Sequence, residues 1–415
     1  MEQVRQKGQA AKAAGRLLST VSSTKKNQAL AAMAGALISS EADILSANEL
    51  DIAAAKEKGL SAALIDRLTL TPARVQGMAE GLRVLQDLPD PVGEVISMWK
   101  RPNGLRIGQV RVPLGVVGII YEARPNVTVD AAGLALKAGN AVILRGGSEA
   151  INSNKAITKA LRQAVAAVGL PEDCIQLIED TGRDAATALM RLDDYLDVLI
   201  PRGGAGLIRA VLENATVPVI QTGVGNCHTY VDGSADQDMT RRIAVNAKCH
   251  RPGVCNACET LLVDKAIADS FVPAVIADLE AQGVEVRGCS EVKALCPDVK
   301  PASEKDWSTE YLDNIIAIKV IAGLDEAISH INTYGSQHSE AIVTTDYAHA
   351  QRFLEEIDAA AVYVNASTRF TDGFEYGFGA EMGISTQKLH ARGPMGLKEL
   401  TTIKYIIYGD GQVRE

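Results

Sequence analysis

No block of lysine or arginine and no basic stripe occurs in this chain, whose 415 residues carry a formal net charge of −9. That balance argues against a nucleic-acid surface, while a helix N-terminus or a few local arginines can still hold a small anion. Long apolar runs are missing as well. The best of them, Val112 to Ile120, contains Pro113 and two glycines and is far too short to span a bilayer. The N-terminus, Met-Glu-Gln-Val-Arg-Gln-Lys-Gly, is polar and leads into an amphipathic stretch, so no secretory signal is expected. Nor is there a disulfide framework: seven cysteines, an odd number, are scattered along the chain and fit reduced thiols in a cytoplasmic protein. No internal repeat or low-complexity segment stands out. What is present, 47% hydrophobic and 22% charged residues, suits a globular protein large enough for two domains.

Residues from Val4 to about Leu88 are Ala-rich and helical in period, with Thr71-Pro72 a cap followed by proline at the first helical position. Glu94 to Val112 changes to alternating β-type residues around Asn103-Gly104, a hairpin signal. From Gly115 onward short apolar strands alternate with helices. Strands are expected at Val116 to Tyr121, Ala141 to Leu144, Ile175 to Ile178 and Asp197 to Ile200, with helices near Val129 to Lys137, Glu149 to Val168 and Leu207 to Glu213. A second series, from about Thr240 to Asn365, includes strands Thr260 to Val263 and Ile315 to Val320 and the helix Ile267 to Ala281. Leu400 to Tyr408 reads as a last strand. Strands alternating with helices imply βαβ units and parallel sheet. The expected architecture is therefore α/β, with two Rossmann-type domains and an extruded β element.

Candidate chemistry begins at His250-Arg251-Pro252-Gly253-Val254-Cys255-Asn256-Ala257-Cys258. A thiolate on a turn can be approached by a substrate, and backbone N–H groups around it can lower its pKa, so Cys255 is the candidate nucleophile. Two glycine turns follow strands and open helices: Arg145-Gly146-Gly147-Ser148, and Arg202-Gly203-Gly204-Ala205-Gly206. Such turns present N–H groups and a helix dipole to a pyrophosphate, and two on consecutive α/β units suggest a nucleotide crevice. Each is equally readable as a structural turn, because glycine often punctuates strand–helix joints. Cys249, His250, Cys255 and Cys258 offer half of a zinc pattern. The second half is missing, since Cys289 and Cys296 lack the spacing, and no metal is expected.

These motifs, with Tyr121-Glu122-Ala123-Arg124-Pro125-Asn126-Val127-Thr128, Gln221-Thr222-Gly223-Val224-Gly225-Asn226-Cys227-His228, Phe378-Gly379-Ala380-Glu381-Met382-Gly383 and His390-Ala391-Arg392-Gly393-Pro394, resemble the gamma-glutamyl phosphate reductase family. This is the proline-biosynthetic branch of the aldehyde dehydrogenase superfamily, and the resemblance runs over essentially the whole chain. It implies NADPH-dependent reduction of L-glutamyl 5-phosphate to L-glutamate 5-semialdehyde with release of phosphate. Cys255 would form a thioester, with Asn126 and the Cys255 N–H as oxyanion donors. Arg145, Gly146, Gly147, Ser148, Arg202, Gly203 and Gly204 are implied at the cofactor, and Glu310 at the nicotinamide ribose.

Ser148 stands where NAD-using relatives carry an acidic residue, and Arg145 remains nearby, a combination suited to a 2′-phosphate. Thr222 stands where hydrolytic relatives carry the Glu that activates water. The alternative, a hydrolytic aldehyde dehydrogenase acting on a small semialdehyde, lacks that base here. Arg124, Arg251 and His228 are candidate substrate contacts, and Arg369 and Arg392 are candidates for the α-carboxylate. The resemblance further implies a cofactor-binding domain over 1–93 and 113–222 with part of 366–397, and a catalytic domain over 223–365. A β element over 94–112 and 398–415 would pair subunits into a homodimer or dimer of dimers. A glutamate 5-kinase on another chain is a candidate partner; nucleic acid and membrane are not.

Overall fold

The computed structural model describes residues 2–414, and the chain divides into two compact units. The first runs up to Gln221 and adds Gly377–Gly383 and the chain from Met395 onward; the second comprises Thr222–Tyr376 and Ile384–Pro394.

At the centre of the first unit lies a four-stranded parallel sheet in the order Ile175–Leu177, Ala141–Arg145, Val116–Tyr121, Val198–Arg202. Val116–Tyr121 is an unbroken apolar run, and every one of its residues is buried, as a parallel strand covered on both faces requires. The helix expected from Val129 starts earlier, at Pro125, because proline's fixed φ and missing N–H suit the first helical position. The helix expected from Glu149 opens with a 3₁₀ turn, Ser148–Ala150, before Ile151–Ala167. Val198–Arg202 passes through Pro201, tolerated because this is the outermost strand of the sheet. Five helices precede the sheet, the last of them Pro72–Asp87, whose first turn is capped by Thr71 accepting from the Arg74 N–H. A separate antiparallel sheet joins Val95–Lys100, Arg106–Pro113 and Thr401–Tyr408, and Gly104 takes a φ of +92° in its hairpin turn.

The second unit is built on a seven-stranded parallel sheet. Its order is Lys300–Pro301, Glu285–Gly288, Ile315–Ile321, Cys258–Asp264, Cys227–Val231, Ser339–Val343, Ala361–Val364. Phe271, Val272, Val275 and Leu279 of helix Ala268–Ala281 fill one side, against Leu261, Val263 and Ile316. Ile328 and Ile331 of helix Leu324–Tyr334 and Phe353 fill the other, against Tyr230, Leu262 and Ile342. Among the described residues no single helix is long and apolar enough to cross a membrane.

Candidate active site

Helix Gln237–Cys249 ends at His250, and the turn through Pro252 delivers the chain to the head of strand Cys258–Asp264, the middle of the second unit's sheet. Cys255 lies on that turn and is partly exposed, whereas Cys227 and Cys258 beside it are buried. Burial pushes the Cys258 thiol up to about 12 and that of Cys227 well above its ordinary value, so neither supplies a thiolate. Cys174, in the first unit, is likewise pushed to about 12. Cys289 and Cys296 are partly exposed but still pack against the core of the second unit. Among the described residues no group of three or more His, Cys, Asp or Glu could hold a metal ion.

The turn around Cys255 is gripped from several sides. Asn256 donates through Nδ2 to the carbonyls of Thr371 (2.8 Å) and Arg369 (3.3 Å), and its own carbonyl accepts from Thr368 Oγ1 at 2.7 Å. The Arg369 guanidinium donates in return to Asn256 Oδ1. Cys227 Sγ donates to the Cys255 carbonyl at 3.2 Å. Gly225 lies so close that a Cβ there would fall 1.5 Å from the same oxygen. The Gly225 N–H donates to Glu310 Oε1 at 2.8 Å. Burial raises the Glu310 carboxyl above its ordinary value, opposed by the Gly225 N–H and by Lys248.

Around Cys255 the other candidates separate. Arg369 is half-buried, and its guanidinium is drawn below its ordinary pKa by burial and by Arg251, while Asp372 and the Cys255 thiol pull the other way. Arg251 is exposed. Arg392 is already engaged, donating to Asp358 at 2.7 Å. His228 departs from its expected place against substrate. It is fully buried, its N–H and Nδ1 both meet Glu340 Oε2, at 2.7 and 3.0 Å, and it offers no accessible polar atom. Every residue of its strand, Cys227–Val231, is covered, so a polar side chain there must find its partner inside. Thr222 is buried and has no carboxylate to offer.

In the first unit the turn Arg145-Gly146-Gly147-Ser148 leaves strand Ala141–Arg145. The Arg145 guanidinium donates to the Thr181 carbonyl at 2.7 Å, and burial lowers its pKa against the pull of Glu149 and Asp180. A Cβ on Gly146 would meet Asn154 Nδ2 at 2.2 Å. That amide nitrogen and Arg145 Nε are buried without hydrogen-bond partners. Ser148 Oγ donates to Glu149 Oε1 at 3.3 Å, so an acidic side chain stands at this turn one residue after Ser148.

The second turn holds a surprise for a phosphate reading. The Gly204 N–H, at the start of helix Ala205–Asn214, already donates to Glu122 Oε2 at 3.1 Å, and the Glu122 carboxyl covers Gly203. A carboxylate at a helix N-terminus is what the dipole favours, so an incoming phosphate would have to displace Glu122 from Gly203 and Gly204. Asn126, exposed on the first turn of helix Pro125–Lys137, donates from Nδ2 to Asp130 Oδ2 at 3.1 Å. Burial pushes the Asp130 carboxyl up to about 6, opposed by Asn126 and Arg202. Arg124, just before that helix, is exposed.

Sequence reasoning passed over Gly225, Glu122, Asp130 and the pair Lys248–Glu259. Asp130 carried a usable signal, since it stands four residues after Asn126 on one helical face. Glu122 lay inside a quoted motif.

The aldehyde dehydrogenase family model matches residues 1–291 and 294–406. The gamma-glutamyl phosphate reductase of Moorella thermoacetica is 64% identical over 413 residues, covering 100% of this chain and 99% of that protein. The reductase of the same name from Caldicellulosiruptor bescii is 60% identical and covers 100% of both. The crystal structure of gamma-glutamyl phosphate reductase from Thermotoga maritima superposes with a TM-score of 0.97 at 52% identity, over 99% of this chain and 100% of that one. An acetylating aldehyde dehydrogenase from Geobacillus thermoglucosidasius, at 19% identity and a TM-score of 0.73 over 100% of this chain and 98% of that one, shares the fold. With a match this complete at the level of both sequence and fold, the chain belongs to the aldehyde dehydrogenase family, in the branch of the gamma-glutamyl phosphate reductases.

Proposed function

We propose that this chain reduces L-glutamyl 5-phosphate to L-glutamate 5-semialdehyde with release of phosphate, using NADPH and a thioester on Cys255, as a step in proline biosynthesis. The observation that carries the reading is the single partly exposed thiol on the turn at the head of strand Cys258–Asp264, beside thiols that burial keeps protonated. An acyl phosphate is already activated. The Cys255 sulfur attacks its carbonyl carbon, the C–O bond to phosphate breaks, and phosphate leaves with the electron pair. The thioester carbonyl is then reduced, and collapse of the resulting oxyanion expels the thiolate.

Asn126 is the proposed side-chain donor to that oxyanion, with the Cys255 N–H as the backbone donor. One such donor contributes about 2.7–4 kcal/mol of barrier lowering. Asp130 accepts from the Asn126 amide and so holds its nitrogen in place.

A nicotinamide cofactor, when bound, supplies the hydride. The first unit's residues fit one: the space over Gly146 has no room for a Cβ, and the buried Arg145 Nε and Asn154 Nδ2 beside it lack partners. Arg145 with Ser148 favours NADPH, a preference that Glu149 tempers. Glu310 would hold the nicotinamide ribose. The exposed Arg251 is the proposed group for the substrate's phosphate, and Arg369, bonded to the residue next to the nucleophile, for its α-carboxylate. Arg124 would assist.

In this reading the first unit binds the cofactor and the second carries the nucleophile. The three-stranded sheet exposes Met98, Trp99, Ile403, Tyr405 and Ile407, and it would join subunits in a homodimer or dimer of dimers. A cytoplasmic location and supply of the labile acyl phosphate by a glutamate 5-kinase belong to the same proposal.

The test runs the reaction backwards, with pyrroline-5-carboxylate and NADP⁺, with and without inorganic phosphate. Phosphate-dependent nicotinamide reduction that vanishes in Cys255→Ala is expected. Turnover indifferent to phosphate would make water the acceptor and the chain a hydrolytic dehydrogenase.

A further inference from the structure

Lys248 and Glu259 form an ion pair, Nζ to Oε2 2.6 Å, with both side chains 0% exposed. Lys248 sits on the last turn of helix Gln237–Cys249, and Glu259 is the second residue of strand Cys258–Asp264. They flank the nucleophile turn in sequence. Such a pair is costly to bury, and an apolar pair of the same volume would serve the core at least as well. Its use lies on the far side of the carboxylate.

Glu259 Oε1 accepts from the Leu312 N–H at 3.3 Å. Leu312 has a φ of +54°, in the left-handed region that a leucine rarely adopts and that a surrounding structure must hold. The neighbouring Tyr311 ring lies over the Lys248 ammonium, 5.9 Å from nitrogen to centroid, and its hydroxyl donates to Asp306 at 2.7 Å. Arg287 stacks on the same ring and donates to the same carboxylate. Tyr311 and Leu312 are thus fastened to the buried pair, and the residue before them is Glu310, whose carboxylate takes the Gly225 N–H. Lys248 also favours the ionised form of Glu310 against the effect of burial.

We propose that the buried Lys248–Glu259 pair is a positioning device for Glu310, holding the segment Glu310–Leu312 in its strained conformation so that the Glu310 carboxylate stays fixed toward the cofactor ribose. This inference rests on the reading of Glu310 as the ribose-binding group. The pair itself touches no cofactor. It acts through backbone geometry, and its loss leaves Glu310 present but misplaced.

NADPH binding to the full-length protein, followed by calorimetry, tests this with four variants. Glu310→Gln should weaken binding by about 10-fold or more, the scale of one lost hydrogen bond to a charged group. Glu259→Gln should weaken it by a similar factor, and the double variant Glu259→Gln/Glu310→Gln no further than Glu310→Gln alone, since both changes remove one interaction. Should breaking the pair unfold the chain, Lys248→Met/Glu259→Leu replaces it with apolar side chains that the core can accept. That variant is expected to melt like the parent yet bind NADPH as weakly as Glu310→Gln.

Parent-like binding by Lys248→Met/Glu259→Leu, or independent and multiplying losses in the double variant, would overturn the positioning role alone. Parent-like binding by Glu310→Gln would instead remove the ribose reading, and the inference with it.

Discussion

Replacing Gly225 with alanine puts a methyl group where the turn at Cys255 already is. The new Cβ would lie 1.5 Å from the Cys255 carbonyl oxygen, 2.2 Å from its carbon and 2.5 Å from its Cα. Gly225 is not left-handed, so the steric contact alone carries the effect. The obstacle is backbone, which cannot rotate aside as a side chain could. The turn would have to retreat by about 1.5 Å merely to reach 3.0 Å, a separation below which real Cβ contacts essentially never occur. It is held against retreat by the bonds of Asn256 to the Arg369 and Thr371 carbonyls and by Cys227 Sγ on the Cys255 carbonyl. Overpacking of this kind costs about 1–3 kcal/mol of stability. The larger effect falls on chemistry, because a misplacement of about 1 Å is enough for a loss of about 100-fold. Gly225→Ala should therefore remain folded, with a melting temperature lowered by a few degrees, while kcat drops by about 100-fold or more. Steady-state reduction, a thermal melt and the rate of Cys255 alkylation by iodoacetamide would be measured together. A variant with kcat within about threefold of the parent and an unchanged melt would refute the steric argument, since the 100-fold scale could not then apply.

Asp130 gives a pH prediction. As pH falls through about 6 its carboxyl gains a proton, ceases to be a pure acceptor and loosens its hold on the Asn126 amide, so turnover should decline on the acid side with an apparent pKa near 6. Asp130→Asn should remove that limb, and an unmoved limb would refute the link. The sign for stability follows from a folded pKa raised above the ordinary value: the cost of the buried charge is full above about 6 and fades as pH falls, so the same variant should gain stability at pH 8 more than at pH 4. Arg145→Ala should raise the KM for NADPH by about 10-fold or more and leave that for NADH nearly unchanged, and equal losses for both would show that Arg145 does not meet the 2′-phosphate. Removing the chain from Thr401 onward strips the strand that pairs with Arg106–Pro113. Sedimentation should then report a monomer or an unstable chain, and a truncated protein that still sediments as a dimer would exclude this sheet as the interface.

Much of the fold was legible because local chemistry decides it. Val116–Tyr121 could only be a doubly covered strand, Asn103-Gly104 could only be a tight turn, and Thr71-Pro72 opens its helix as caps do. Boundaries slipped where two rules compete. Pro125 reads as a break until one asks which helical position needs no N–H, and Pro201 reads as a strand end until the strand is known to lie at the sheet's edge. The site was legible as a set of turns but not as contacts. Gly225 meets Cys255 thirty residues later, and Glu122 reaches Gly204 across eighty-two. Lys248 and Glu259 are only eleven residues apart, yet nothing in a helix-end lysine and a strand glutamate signals that the two will be buried together. His228 was misread because nothing in its sequence neighbourhood reveals that Glu340, on an adjacent strand, would enclose it.

The carboxylates of the second unit carry the argument for reduction further than the missing glutamate at Thr222 does. A carboxylate serves as the base for thioester hydrolysis only where water can reach it and give it a proton. Glu259 is sealed and committed to Lys248 and the Leu312 N–H. Glu340 is sealed too, with one oxygen on His228 and the other buried without a partner, beyond the reach of water. Glu310 is occupied by the Gly225 N–H. Glu259 and Glu340, sealed and already committed, are thereby spent as bases. A thioester on Cys255 would thus meet a surrounding built to hold the turn still. Glu259 and Glu340 cannot activate water against such a thioester, which favours its reduction.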